Sequence, residues 1–93
     1  MKNLSQYISH LLSEKRYSQH TASAYQNDIE QFGFYLKSVY EIVDEADVSF
    51  PIVRSFVVSL MEEDYNPRSV NRKISSLKSY FKFLRTLEVI KVN

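Results

Sequence analysis

Asn66-Pro67-Arg68-Ser69-Val70-Asn71-Arg72-Lys73-Ile74-Ser75-Ser76-Leu77-Lys78-Ser79-Tyr80-Phe81-Lys82-Phe83-Leu84 carries the clearest helical period in the chain. At about 100° per residue, Val70, Ile74, Leu77, Phe81 and Leu84 fall within about 80° of one another, and Arg68, Arg72, Ser75, Ser79 and Lys82 cluster on the opposite side. Asn66 is a residue type that caps helix starts, and Pro67 is tolerated at the first helical position because the N–H it lacks has no intrahelical partner there. Tyr65 and Val70 complete the start as an expected apolar staple. The reading is an amphipathic helix with one apolar and one cationic face.

Upstream, the same period recurs three times. Leu4, Tyr7, Ile8, Leu11 and Leu12 form one stripe of a helix from about residue 2 to 15. Ser18 is placed to cap a second helix, from about 19 to 38, whose inward face is Ala22, Tyr25, Ile29, Phe32 and Leu36. Gly33 inside it costs about 1 kcal/mol relative to alanine, which suggests a close approach by another backbone. Residues 39–48 lack the period and read as an acidic connecting loop. Ser49 then caps a third helix through about residue 63, with Pro51 in its first turn, Val48 and Val53 as staple, and Ile52, Val53, Phe56, Val57 and Leu60 inward. Glu62, Glu63 and Asp64 close that helix where its dipole disfavours anions, so pairing with Arg68 or Lys73 is expected to compensate. One glycine and two prolines in 93 residues leave too little turn material for a sheet fold. The expected architecture is all-α, a compact bundle of four main helices forming a single domain over residues 1–93, with Leu87, Val89, Ile90 and Val92 as a short apolar tail.

Chemistry is scarce. The chain has no cysteine, and His10 and His20 lack HxxxH or HExxH spacing, so no thiolate, metal or redox site is expected and no cofactor is called for. There is no glycine-rich phosphate loop and no paired carboxylate constellation, while the seven tyrosines sit on apolar stripes or flank caps and loops. A stand-alone enzyme therefore has nothing to work with. No hydrophobic signal core or membrane-length segment is present, so a cytoplasmic protein without membrane contact is expected. The net charge of +1 conceals a dipole. Residues 41–65 carry seven acidic side chains against Arg54, whereas residues 66–93 carry seven basic ones against Glu88. Two partners fit such a distribution: a polyanion on the basic segment, or protein partners of opposite charge on a helical interaction module. Serines among the cations of the fourth helix admit a phosphate backbone, and His20, Ser23 and Asn27 offer hydrogen-bonding groups away from the core stripe of the second.

Three blocks carry a family resemblance. Ser18-Gln19-His20-Thr21-Ala22-Ser23-Ala24-Tyr25-Gln26-Asn27-Asp28-Ile29, then Phe32 and Phe34-Tyr35-Leu36, resembles the S-x-x-T-x-x-x-Y-x-x-D-[LI]-x-x-F-x-x-[FY]-L run of tyrosine recombinases. Val48-Ser49-Phe50-Pro51-Ile52-Val53-Arg54-Ser55-Phe56 is similar to their V-[ST]-x-x-x-[VI]-R-x-[FY] segment, and the opening stretch to S-P-x-[ST]-[VI]-x-R-x-[LI]-S-x-[LI]-R-x-[FY]-[FY]-x-[FY]-L. The blocks occur in family order and resemble the N-terminal core-binding, SAM-like domain of phage integrases and Xer-type recombinases. That resemblance implies a non-catalytic DNA-binding arm forming half of a clamp on the recombination site. Its implied partners are double-stranded DNA, a C-terminal catalytic domain that holds the nucleophilic tyrosine, and other recombinase protomers. By position it implies DNA contacts from His20, Thr21, Ser23 and Asn27 of the second helix and from Arg68, Ser69, Arg72, Ser75 and Ser76 of the fourth. Many relatives place glycine where this chain has Arg16 and Asp64, so a left-handed residue costing about 1 kcal/mol is expected at Arg16. The first helix is less lysine-rich than is common in relatives, which implies weaker binding. Val89-Ile90-Lys91-Val92-Asn93 is similar to the run entering the interdomain linker.

Overall fold

The computed structural model describes residues 1–88 and arranges them as α1 (Leu4–Ser13), α2 (Gln19–Tyr40), a single 3-10 turn at Glu45–Asp47, α3 (Phe50–Glu62) and α4 (Pro67–Thr86). The four-helix, all-α expectation is met. The tail residues Val89, Ile90 and Val92 lie outside the described residues. α2 is the spine: α1 and α4 both pack on it, and α3 closes against α4.

Burial of the periodic stripes builds one aromatic-rich core. Tyr7, Phe32, Phe56 and Tyr80 are almost completely buried, with Leu11, Ile29, Leu60 and Leu84 between them. Phe32 meets Phe56 edge-on at 5.1 Å between centroids, and Tyr7 meets Tyr80 at 5.1 Å in the same manner. Each large side chain removed from water contributes about 1.5–3 kcal/mol, which overcomes the modest propensity of aromatic and β-branched residues for helix. Leu12, read as the fifth member of the α1 stripe, is instead exposed, because only one side of α1 is covered.

Turn chemistry sets the helix boundaries. Arg16, Glu41 and Asp64 adopt left-handed φ of 55°, 57° and 62°. Each lets the next amide reach back into the preceding helix, Tyr17 to Leu11 O, Ile42 to Leu36 O and Tyr65 to Leu60 O. These bonds satisfy end carbonyls that the helix ladder leaves free. The positions fill glycine's role with bulkier residues, at about 1 kcal/mol each. Ser18 and Asn66 cap as read, accepting from Thr21 N at 3.1 Å and Ser69 N at 2.9 Å. Ser49 occupies the N-cap of α3 without a side-chain cap bond.

Several expectations require correction. The Cβ-free side of Gly33 faces the Met1 side chain at 3.4 Å, not another backbone. The acidic end of α3 pairs with neither Arg68 nor Lys73; Lys73 bonds Asp28 at 3.0 Å. Tyr65, at the α3–α4 turn, carries further contacts: its hydroxyl accepts from Gln31 Nε2 and its ring lies 5.3 Å from the Lys73 ammonium. Of the expected loop at 39–48, Val39 and Tyr40 belong to α2, and the rest is more than a connector: Glu45 is buried and accepts a hydrogen bond from the Tyr80 hydroxyl, while Asp44 caps the short turn through Ala46 N.

Candidate nucleic-acid interface

α4 is turned differently from its sequence wheel. Its buried residues are Val70, Lys73, Ser76, Leu77, Tyr80 and Leu84. At about 100° per residue their mean direction lies about 50° from that of the apolar positions read from sequence. Two polar residues thus enter the interior. Phe81 and Ile74 become half-buried at its margin. The exposed side rotates with the buried one and carries Arg68, Asn71, Arg72, Ser75, Lys78, Lys82 and Arg85. From Arg68 to Arg85 this stripe runs about 25 Å at 1.5 Å per residue.

The site residues named from sequence separate accordingly. Arg68 and Ser75 are exposed on α4, and Ser69 is half-buried with its amide given to the Asn66 cap. Ser76 is fully buried and donates its hydroxyl to Lys73 O at 2.9 Å, so it cannot reach a ligand on the surface. Ser79, read on the polar side, is half-buried and accepts from the Tyr7 hydroxyl at 2.7 Å. On α2, His20, Ser23 and Asn27 are exposed. Thr21 is half-buried, its hydroxyl accepting from Ser18 Oγ at 3.0 Å, while Ser23 accepts from Gln19 Nε2 at 3.3 Å. Asn71, Lys78 and Arg85 were not singled out by the sequence reading. Taking Lys73 and Ser76 as part of an inward arc would have found them, but polarity argued the other way.

Between the two helices lies an ion triad. Asp28, buried on α2, accepts from Arg72 Nε at 3.0 Å, from Arg72 Nη2 at 2.7 Å and from Lys73 Nζ at 3.0 Å. The carboxylate thus satisfies two cations from consecutive residues of α4, and the cluster keeps a net charge of +1. The hydrogen bond to Asp28 pushes Arg72 further above its already high pKa, against an opposing effect of burial. Such a fork across the α2–α4 contact fixes how one helix lies on the other. Tyr25 flanks the cluster and meets Tyr17 edge-on at 5.7 Å. Burial, reinforced by Tyr17, raises its pKa.

The other exposed cations of this stripe, Arg68, Lys78, Lys82 and Arg85, have no carboxylate within ion-pair distance among the described residues. No group of three His, Cys, Asp or Glu that could hold a metal forms among the described residues, and no helix there is long and apolar enough to cross a membrane. The arrangement can therefore attract phosphates electrostatically and offer them hydrogen-bond donors.

Comparison with known proteins identifies relatives along nearly the whole chain. The family model for the phage integrase N-terminal SAM-like domain matches residues 4–87. The tyrosine recombinase XerC of Listeria innocua is 37% identical over 87 residues, 94% of this chain and 29% of its own length. XerC of Oceanobacillus iheyensis is 40% identical over 78 residues, 84% of this chain and 25% of its own. XerC of Lacticaseibacillus casei is 32% identical over 93 residues, the full chain and 31% of its own length. The chain thus spans less than a third of the relatives it matches. No solved structure matches it significantly.

Proposed function

The chain belongs to the phage integrase N-terminal SAM-like domain family, and from that premise we propose that it is the non-catalytic arm of a site-specific tyrosine recombinase, binding double-stranded DNA. In this reading residues 1–93 act as one DNA-binding domain in the cytoplasm, beside a C-terminal catalytic domain and other recombinase protomers. The observation that carries it is the exposed stripe of α4, where Arg68, Lys78, Lys82 and Arg85 stand free of carboxylates among the described residues with Ser75 between them. Arg68, Ser75, Lys78 and Lys82 contact phosphates and groove edges, Ser69 lies behind them, and His20, Thr21, Ser23 and Asn27 supply the hydrogen-bonding groups of α2. Ser76 takes no part. Arg72 contributes through the free edge of its guanidinium.

Four to six phosphate contacts would give a salt slope of about −4 to −5 and a dissociation constant in the micromolar range or weaker. The test is fluorescence anisotropy with a short duplex across a salt series, comparing the chain with an Arg68→Ala, Lys82→Ala double variant. Both side chains are exposed, so folding is unaffected, and the slope should shrink by about 2. An unchanged slope in the variant refutes the contact assignment. One observation favours a second reading, a helical interaction module: Phe34, Val43 and Phe50 are each about three-quarters exposed, alongside an acidic segment suited to a basic protein partner. Silence of the α4 amides on adding duplex DNA at low salt would favour it.

A further inference from the structure

Arg72 differs from the other cations of its stripe. Its side chain is 45% exposed, yet Nε and Nη2 are both committed to a carboxylate that is itself fully buried. A guanidinium has five N–H donors, so Nη1 and the outer hydrogen of Nη2 remain, directed away from Asp28. A free arginine on a surface samples many rotamers, and immobilising it on a ligand costs about two- to tenfold in affinity. Here that ordering has already taken place in the unbound protein. An arginine closed onto an aspartate would normally forfeit its charge to any incoming anion. Lys73 prevents this: buried beside the same carboxylate at 3.0 Å, it balances Asp28 and leaves the charge of Arg72 uncompensated.

We infer that Asp28 is a positioning residue for phosphate recognition, holding the Arg72 fork with its free edge outward, while the buried Lys73 keeps the cluster cationic. The inference rests on the reading of α4 as the DNA-facing helix. It makes a prediction opposite in sign to that of simple charge counting. Asp28→Asn removes a negative charge from beside the interface, which by attraction alone tightens DNA binding. Loss of the positioned fork instead weakens it, by roughly two- to tenfold.

The experiment measures duplex affinity of the chain and of Asp28→Asn at fixed low salt, at a temperature where circular dichroism shows both folded. Weaker binding by Asp28→Asn is the expected result, and equal or tighter binding overturns the inference. Should Asp28→Asn fail to fold, Arg72→Lys decides. It retains the charge and a donor for Asp28 but not the planar fork, and is expected to bind roughly two- to tenfold more weakly. Unchanged affinity there overturns the inference. Absence of any salt-dependent binding by the unaltered chain removes the DNA reading and this inference together, whereas normal binding with unaffected variants removes this inference alone.

Discussion

Replacing Tyr80 by phenylalanine removes one oxygen atom, and the structure makes that a costly change. The Tyr80 hydroxyl donates to Glu45 Oε2 in a buried environment, and Glu45 Oε1 has no hydrogen-bond partner among the described residues. Tyr80→Phe therefore leaves a buried carboxyl group without a side-chain donor on either oxygen. Leaving a buried polar group unsatisfied costs about 1–3 kcal/mol, whereas a typical hydrogen bond contributes a net of about 0.5–1.5 kcal/mol. A less enclosed comparison lies in the same core, where Tyr7 donates to the half-buried Ser79 Oγ at 2.7 Å. Tyr80→Phe should accordingly cost about 2–3 kcal/mol and Tyr7→Phe about 1 kcal/mol. A chain of 93 residues has about 5–14 kcal/mol of stability in total, and at about 4–8 °C per kcal/mol the first change lowers Tm by roughly 8–24 °C. Urea unfolding of Tyr80→Phe, Glu45→Ala and the double variant measures the coupling directly. A coupling of about 1.5 kcal/mol or more is expected. Additive effects, or a Tyr80→Phe cost no larger than that of Tyr7→Phe, would refute the view that this bond fastens the acidic loop to α4.

Helix capping supplies a contrast between two sites that look alike in sequence: Asn66→Ala should cost about 1 kcal/mol because its side chain accepts from Ser69 N, whereas Ser49→Ala, with no cap bond to lose, should cost under about 0.5, both read from thermal melts. Alkaline titration gives another outcome. Burial raises the Tyr7 pKa to about 12 and raises that of Tyr80 as well, with its bond to Glu45 adding to the effect. The folded state then holds protons that the unfolded chain releases near pH 10, so stability is intact below pH 10 and falls above it as pH rises toward the folded values, by up to about 1.4 kcal/mol per pH unit for each tyrosine. In Tyr7→Phe the decline between pH 10 and 12 should be shallower in alkaline denaturation curves followed by circular dichroism; an identical decline would contradict this account.

The helices were legible because hydrophobic period and turn chemistry act locally. The stripes of Leu4, Tyr7 and Leu11 and of Ile29, Phe32 and Leu36 are buried as their spacing requires, and Ser18 and Asn66 start helices where their side chains reach the third amide onward. The left-handed turn at Arg16 was readable from the position that relatives give to glycine. The candidate interface was only partly legible. A wheel assigns every lysine and serine to the outside, but Lys73 and Ser76 are inside, since a buried aspartate on another helix makes the lysine tolerable and a backbone carbonyl satisfies the serine. That turned the exposed side of α4 toward Lys78 and Arg85. The role of Glu45 is invisible to local pattern for the same reason, its partner lying 35 residues along the chain.

Four amphipathic helices with a cationic last member follow from the order of residues alone, because the period of apolar residues and the preferences of capping residues are properties of neighbours along the chain. Which polar side chains face outward was decided by tertiary structure. Burial of a polar group is tolerable only when a partner arrives at hydrogen-bonding distance, and the partners of Asp28 and Glu45 come from helices distant in sequence.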